Sequence, residues 1–350
     1  MNDSQRDFLD ELLTTASPSG FEHAGQQVWM EYVETFADEV RMDAYGNAVA
    51  VHHGENDTEI AFAGHADEIG LMVRAITNEG FLKLTSVGGT DKTVTRGQHV
   101  TVHGEKRVPG VIGQTAIHLR NDDDSVDDIE EQHVDIGVDS RAEAAELVEV
   151  GDPITVSGEI ASLHGTRLSA RGMDNRIGVW AAAEGLRRAA ERDADATVYA
   201  IATVQEEIGF KGARMVGFDL TPDAFVVVDV THATDSPSVP SETRDDVDIG
   251  AGPVIARGSA NHPRLVEHVR DIAETEGIDV QLQAAGSATG TDADAFYTAR
   301  GGVPSLNVGL PNRYMHTPVE LIDTDDLDAI AALLGAVGAQ TDNVRTLTTR

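Results

Sequence analysis

The sequence predicts an α/β protein, a mixed sheet flanked by helices, with a small β-rich domain inserted into it. Three observations predict this class. Apolar runs of strand length alternate with stretches of helical periodicity near both ends of the chain. Between about Gly70 and His164 that alternation gives way to short β-rich pieces broken by glycines. Histidine, aspartate and glutamate recur just past apolar runs or at helix starts, which is where open α/β sheets bind ligands. At 350 residues and 41% hydrophobic content, the chain can bury a full core and make more than one folding unit.

Taken in order, Phe8, Leu12 and Leu13 recur at helical spacing over residues 5–15, and Ser17-Pro18-Ser19-Gly20 stops that helix. A second helix is expected over 22–36. Residues 40–52 alternate around Gly46-Asn47, as a hairpin or bend does, and the short apolar run 59–63 leaves His65 at a strand end. Within the inserted stretch, 81–84, 99–102 and 111–112 read as strands and 122–131 as an acidic loop. Strand, turn and helix resume after Ser169. Asp174 precedes a helix reaching about Ala190, with strands at 197–204 and 224–230 and a helix at 262–276. Strands at 280–283 and 303–308 and helices at 292–298 and 325–338 complete the reading.

Composition excludes several classes of function. Acidic residues number 60 against 26 basic ones, a formal charge of -34, and lysine occurs only at Lys83, Lys92, Lys106 and Lys211. Such a surface repels phosphate backbones and anionic headgroups, so neither nucleic acid nor membrane is an expected partner. Dense carboxylates repel one another unless salt screens them, which points to a halophilic cytosol. With no cysteine there is neither a disulfide framework nor thiolate chemistry, and any zinc site must use histidine and carboxylates. The acidic N-terminus lacks the pattern of a secretory signal, and no apolar run reaches membrane-spanning length, so a cytoplasmic location is expected.

Five segments carry the chemistry: GHADEIG, GMDNRIG, VQEEIG, VVVDVTH and NRYMHTP. Their candidates are His65, Asp174, Glu206, Glu207, Asp229 and His316. Hard carboxylates with two imidazoles and no sulfur suit zinc, cobalt or manganese, and one carboxylate can bridge two such ions. Residues i and i+2 of an extended segment share a face, so Asp67 can accept the second ring N–H of His65. Glu206 and Glu207 would diverge in a regular strand and can reach one site only if the strand has ended, which Gly209 favours. One of the two then binds metal while the other takes a proton from the attacking water. Each segment also has a bland reading. GHADEIG alone is a polar strand end, Asp174 a helix N-cap, the glutamates a solvated surface pair, and His316 a loop histidine. Asp229 is harder to dismiss, because an unpaired carboxylate ending the run AFVVV is costly. The order His, Asp, Glu-Glu, Asp, His supplies the specificity.

With those motifs the sequence resembles the tetrahedral, or TET-type, aminopeptidase family of dinuclear metallopeptidases, whose members include deblocking and glutamyl aminopeptidases and some labelled endoglucanase. The resemblance spans nearly the whole chain and, with the salt adaptation expected from the acid-rich composition, implies a halophilic archaeal member. It implies a zinc-exopeptidase-like catalytic domain over 1–69 and 165–350, and an inserted β-barrel-like dimerisation domain over 70–164. It also implies two divalent ions, zinc or cobalt or else manganese, one held by His65 and Asp229, the other by Glu207 and His316, with Asp174 bridging. By the same resemblance Glu206 is the general base, Asp67 orients His65, and dimers assemble into a tetrahedral dodecamer acting on peptides. One departure is Asn175, where many relatives carry a second aspartate. Asp292 either lines the substrate pocket or caps the following helix.

Three other readings remain at this point. The same site could cleave N-acyl amino acids, a glycosidase would need two flanking carboxyls and no metal, and a scaffold protein would need neither. Preference for the N-terminal side chain and the physiological metal are not legible in the sequence.

Overall fold

A computed structural model describes residues 1–120, 125–342 and 344–347. The chain opens with helices α1 (Asp3–Thr14) and α2 (His23–Val33), followed by strands β1 (Glu39–Met42), β2 (Ala48–His52) and β3 (Glu59–His65). Phe8, Leu9, Leu12 and Leu13 form the buried stripe of α1, as their spacing requires, and Asn2 and Gln5 close its N-terminus as a reciprocal capping box. Between them, Ser17-Pro18-Ser19-Gly20 does more than end a helix. Ser17 and Ser19 bind the backbone around Glu68, docking this turn onto the segment that carries His65.

The inserted stretch holds β4 (Gly70–Ile76), β5 (Leu82–Val87), α3 (Lys92–Thr95), β6 (His99–His103), β7 (Arg107–Ile112), β8 (His133–Asp135), α4 (Arg141–Ala145) and β9 (Pro153–Val156). Its six strands close into a barrel in the order β4-β5-β8-β7-β6-β9 around Leu82, Leu84, Val102, Val134 and Ile154. Closure leaves no free strand edge, so strands of three to seven residues suffice. The expected acidic loop falls partly on residues 121–124, outside the described residues.

The chain then forms β10 (Ala161–Ser162), β11 (Arg167–Ala170), α5 (Met173–Glu191), β12 (Thr197–Thr203), α6 (Lys211–Asp219), β13 (Ala224–His232) and β14 (Val254–Arg257). It ends with α7 (Pro263–Glu276), β15 (Gln281–Ala284), α8 (Ala293–Tyr297), β16 (Ser305–Asn312), β17 (Glu320–Asp323) and α9 (Thr324–Ala339). Eight strands make one mixed sheet in the order β1-β2-β12-β3-β13-β16-β14-β15, with β12, β3, β13 and β16 parallel at its centre. These central strands are apolar along their length because both faces are covered. One face packs on α1, α2, α5, α7 and α9, and the other on α6 and α8. Gly64 and Gly178 let β3 and α5 approach closely, since a Cβ on Gly64 would meet the Val179 amide at 2.7 Å. Sequence reading missed α6, β14 and the small sheet β10-β11-β17, all short or amphipathically weak.

Candidate metal centre

The parallel strands β3, β12 and β13 run side by side and bring their carboxyl ends to one edge of the sheet. His65 closes β3 there, Asp229 lies late in β13, and the segment after β12 carries Glu206 and Glu207. Asp174 arrives at the start of α5, and His316 in the loop between β16 and β17. Residues from five parts of the chain thus meet at one place.

The geometry centres on Asp174. Its Oδ1 lies 3.1 Å from His65 Nε2 and its Oδ2 3.3 Å from His316 Nε2, so its two oxygens face different imidazoles. Asp229 Oδ1 stands 3.8 Å from His65 Nε2, and Glu207 Oε1 stands 3.6 Å from His316 Nε2. Ligand atoms of His65, Asp174 and Asp229 form one group within 4.8 Å of one another, and those of Asp174, Glu207 and His316 form a second. The two groups share Asp174. Glu206 Oε2 is 3.8 Å from His65 Nε2, and its side chain and that of Glu207 both face this edge. All the sequence-predicted site residues converge.

Burial and crowding set the electrostatics. Burial raises the Asp229 and Glu207 carboxyls well above their ordinary value, with Asp174 adding to it in both. Burial likewise lifts Glu206 to about 9, helped by Asp229 and Asp292 and opposed by His65. At His65 burial works against the proton, but Glu206 and Asp229 outweigh it and raise the imidazole well above its usual range. Asp174 goes the other way: burial is outweighed by its bonds to His316 and His65, which hold it low. Glu207 Oε1 is buried without a hydrogen-bond partner. A cluster of oxygen and imidazole donors with surplus negative charge and an orphaned carboxylate oxygen fits divalent cations.

A surrounding layer holds these groups. His65 Nδ1 lies 3.2 Å from the Asp67 carbonyl and 3.3 Å from its carboxylate Oδ1, which leaves Nε2 toward Asp174. Asp67 Oδ1 and Oδ2 also accept the backbone N–H groups of Glu206 and Glu207, at 3.0 and 3.2 Å. Glu320, absent from the sequence reading, accepts the N–H of His316 at 2.9 Å on Oε1 and that of Asp174 at 3.3 Å on Oε2. Burial and the neighbouring Asp174 push it up to about 8. Glu68 is buried between Arg171 and Arg176, which outweigh burial and bring it down to about 2.

Two expectations at this edge resolve differently from their simplest reading. Asp174 does not cap α5. The backbone departs from helical geometry at Asp174 and Asn175, and Asn175 Oδ1 takes the Gly178 N–H at 2.9 Å while its Nδ2 donates to the Val228 carbonyl at 2.8 Å. An aspartate there could accept but not donate. Asp292 caps nothing either, and Asp294 binds the loop N–H groups of Thr289 and Gly290 instead. Asp292 is 1% exposed, accepts from Thr203 Oγ1 at 2.5 Å, and has its Oδ1 buried without a partner. Burial raises it to about 6.

A fold of this topology with such a cluster at its sheet edge is that of a metal-dependent peptidase. The chain belongs to the M42 glutamyl aminopeptidase family, whose pattern it matches over residues 46–333. It is therefore an aminopeptidase, a hydrolase. The lysyl aminopeptidase of Pyrococcus furiosus is 33% identical over 342 residues, covering 95% of this chain and 96% of that one. Among solved structures, a TET aminopeptidase from a marine sediment archaeon is 31% identical with a TM-score of 0.93, covering 99% of this chain and 100% of that one. The Pyrococcus horikoshii TET1 peptidase, which can assemble into a tetrahedron or a large octahedral shell, is 32% identical with a TM-score of 0.86, covering 96% of this chain and 99% of that one. These relatives do not favour a deacylase or a glycosidase. Among the described residues, no helix is long and apolar enough to cross a membrane.

Proposed function

We propose that this aminopeptidase works through two divalent cations, zinc or cobalt or else manganese, with His65 and Asp229 holding one, Glu207 and His316 the other, and Asp174 between them. The observation that carries this reading is the two-sided Asp174, one oxygen toward each histidine. When bound, the ions supply Lewis-acid polarisation of the scissile carbonyl and acidify a water molecule.

The protein's own groups do the rest. Asp67 holds His65 in one tautomer, and the free α-amine of the peptide approaches the metal and carboxylate cluster. A carboxylate oxygen of Glu206 takes the proton of the attacking water and returns it to the nitrogen of the departing peptide. Glu206 must be ionised to do this. Burial and the neighbouring Asp229 and Asp292 carboxyls raise it to about 9, and positive charge brought into the cluster lowers it into its working form.

Glu206→Gln should retain bound metal and lose turnover by about 100-fold or more, the scale of general-base catalysis. Metal content and the rate on an aminoacyl anilide, measured with and without chelator, check this, and full activity in the variant would falsify the role. A blocked α-amine should abolish hydrolysis, whereas equal rates on N-acylated substrates would favour the deacylase.

The further organisation belongs to the same reading. Residues 1–69 and 165–350 form the catalytic domain and 70–164 a dimerisation domain, with dimers assembling into a tetrahedral dodecamer in a salt-rich cytoplasm. The shells formed by the TET1 relative support the assembly, and the charge of -34 supports the salt. Light scattering in high salt should give twelve times the 37.2 kDa chain mass, and a monomer would exclude the assembly.

A further inference from the structure

Four consecutive backbone amides lead into the glutamate pair, and every one is held by a buried side chain. Val204 N–H donates to Asn47 Oδ1 at 3.0 Å and Gln205 N–H to Glu22 Oε1 at 3.1 Å. The N–H groups of Glu206 and Glu207 donate to the two oxygens of Asp67. Asn47, Glu22 and Asp67 are 1%, 4% and 0% exposed, so each would be costly to bury unless bonded.

At Gln205 the chain does something a strand does not. Its φ is 56°, in the left-handed region that a residue with a side chain enters at a cost of about 1–3 kcal/mol. That turn breaks the two-residue alternation, and Glu206 and Glu207, which would diverge in a strand, both face His65. Glu22 stands at the N-cap of α2, where serine, threonine, aspartate or asparagine is the usual choice, and it makes no capping bond. Its Oε1 instead accepts from Gln205 and, at 2.6 Å, from the N–H of Gly20, whose φ is 89°. One carboxylate oxygen therefore ties together two left-handed turns, one at the docked Ser17-Gly20 segment and one beside the catalytic pair.

We infer that Glu22 is a positioning residue for catalysis: by holding the Gln205 N–H it fixes the left-handed turn that aims both Glu206 and Glu207 into the site. The inference rests on the reading of Glu206 as base and Glu207 as ligand. It predicts a loss in the chemical step rather than in substrate binding, because the groups displaced are those that act on the water.

The test uses the full-length, metal-loaded protein and an aminoacyl anilide substrate. Glu22→Ala should lower kcat by about 100-fold, the cost of misplacing a reacting group by about 1 Å, while KM changes by less than about threefold. Glu22→Gln keeps an acceptor oxygen and should recover most of that loss. Gln205→Val opposes the positive φ with a β-branched side chain and should reproduce the loss of kcat even if Glu22→Ala does not fold. Wild-type kcat in a folded Glu22→Ala or in Gln205→Val overturns the inference, as does an equal loss in Glu22→Gln and Glu22→Ala. Glu206→Gln run alongside separates the two readings. If it is fully active, the assignment of the base fails. If it is inactive while Glu22→Ala is normal, the positioning role alone fails.

Discussion

At the scale of single residues, the site is a problem of excess negative charge solved in two ways. Groups facing the sheet edge crowd carboxylates against two imidazoles, while those behind it are satisfied by the protein itself. Glu68 belongs to the second kind, bonded to Ser17 N–H and to Arg171 and Arg176. Its folded value near 2 lies below the ordinary 4.5, so it contributes stability that is fully present above about pH 4.5 and is lost as pH falls toward 2. Glu68→Gln should cost about 3–5 kcal/mol at neutral pH, because it leaves buried guanidinium groups without their partner. The gap between wild type and variant in urea denaturation should narrow as pH drops from 4.5 to 2. A gap that stays constant with pH would show that the ion pair is not its source. The ligand candidates were legible because most lie just past an apolar run or at a helix start and follow one another in a distinctive order. Glu22, Glu68 and Glu320 were not, since their bonds to Gln205, Arg171 and Asp174 reach segments far along the chain and leave no local pattern.

At the scale of elements, precision comes from how closely β3 and α5 approach. Asn175 ties the start of α5 to β13, and Gly64 and Gly178 leave no room for side chains between helix and strand. Gly64→Ala should destabilise the protein by at least about 1–3 kcal/mol, the usual cost of overpacking, and should lower activity because His65 is the next residue. Gly113, which has nothing within 4 Å of an added Cβ, provides the contrast: Gly113→Ala should stay within about 0.5 kcal/mol. Denaturation midpoints for the pair check this, and equal midpoints would mean that β3 and α5 can move apart freely. Most helices and strands were readable from periodicity, with ends shifted by a few residues. The strand read at 303–308 proved to be Ser305–Asn312, because residues 309–312 continue the pairing with β13. That extension depends on a partner strand about 80 positions away.

At the scale of the whole molecule, the barrel is more than an appendage. Its Gly88-Gly89 turn reaches the site, where a Cβ on Gly89 would come within 2.9 Å of the His316 ring and one on Gly88 within 3.1 Å of Glu207 Cβ. The Asp174 carboxylate raises the His316 imidazole against its burial, and a bond from the Gly89 backbone adds to the rise. The charge of -34 likewise acts on the molecule as a whole. Added salt shortens the screening length from about 10 Å at 0.1 M to about 3 Å at 1 M, so the melting temperature should rise steeply over that range. A melting temperature that is flat or falling with KCl would show that surface repulsion is not limiting.

By itself the sequence determined the fold class and singled out a β-rich inserted stretch and seven candidate site residues, because apolar periodicity and chemically unusual residues after apolar runs or at helix starts are local signals. Only the tertiary structure decided that Asp174 turns one oxygen to each histidine, that Asn175 rather than Asp174 caps its helix, and that Glu22 holds the turn before the glutamate pair. Those outcomes depend on hydrogen bonds between segments distant in sequence, and such bonds take their direction from packing rather than from any neighbouring residue.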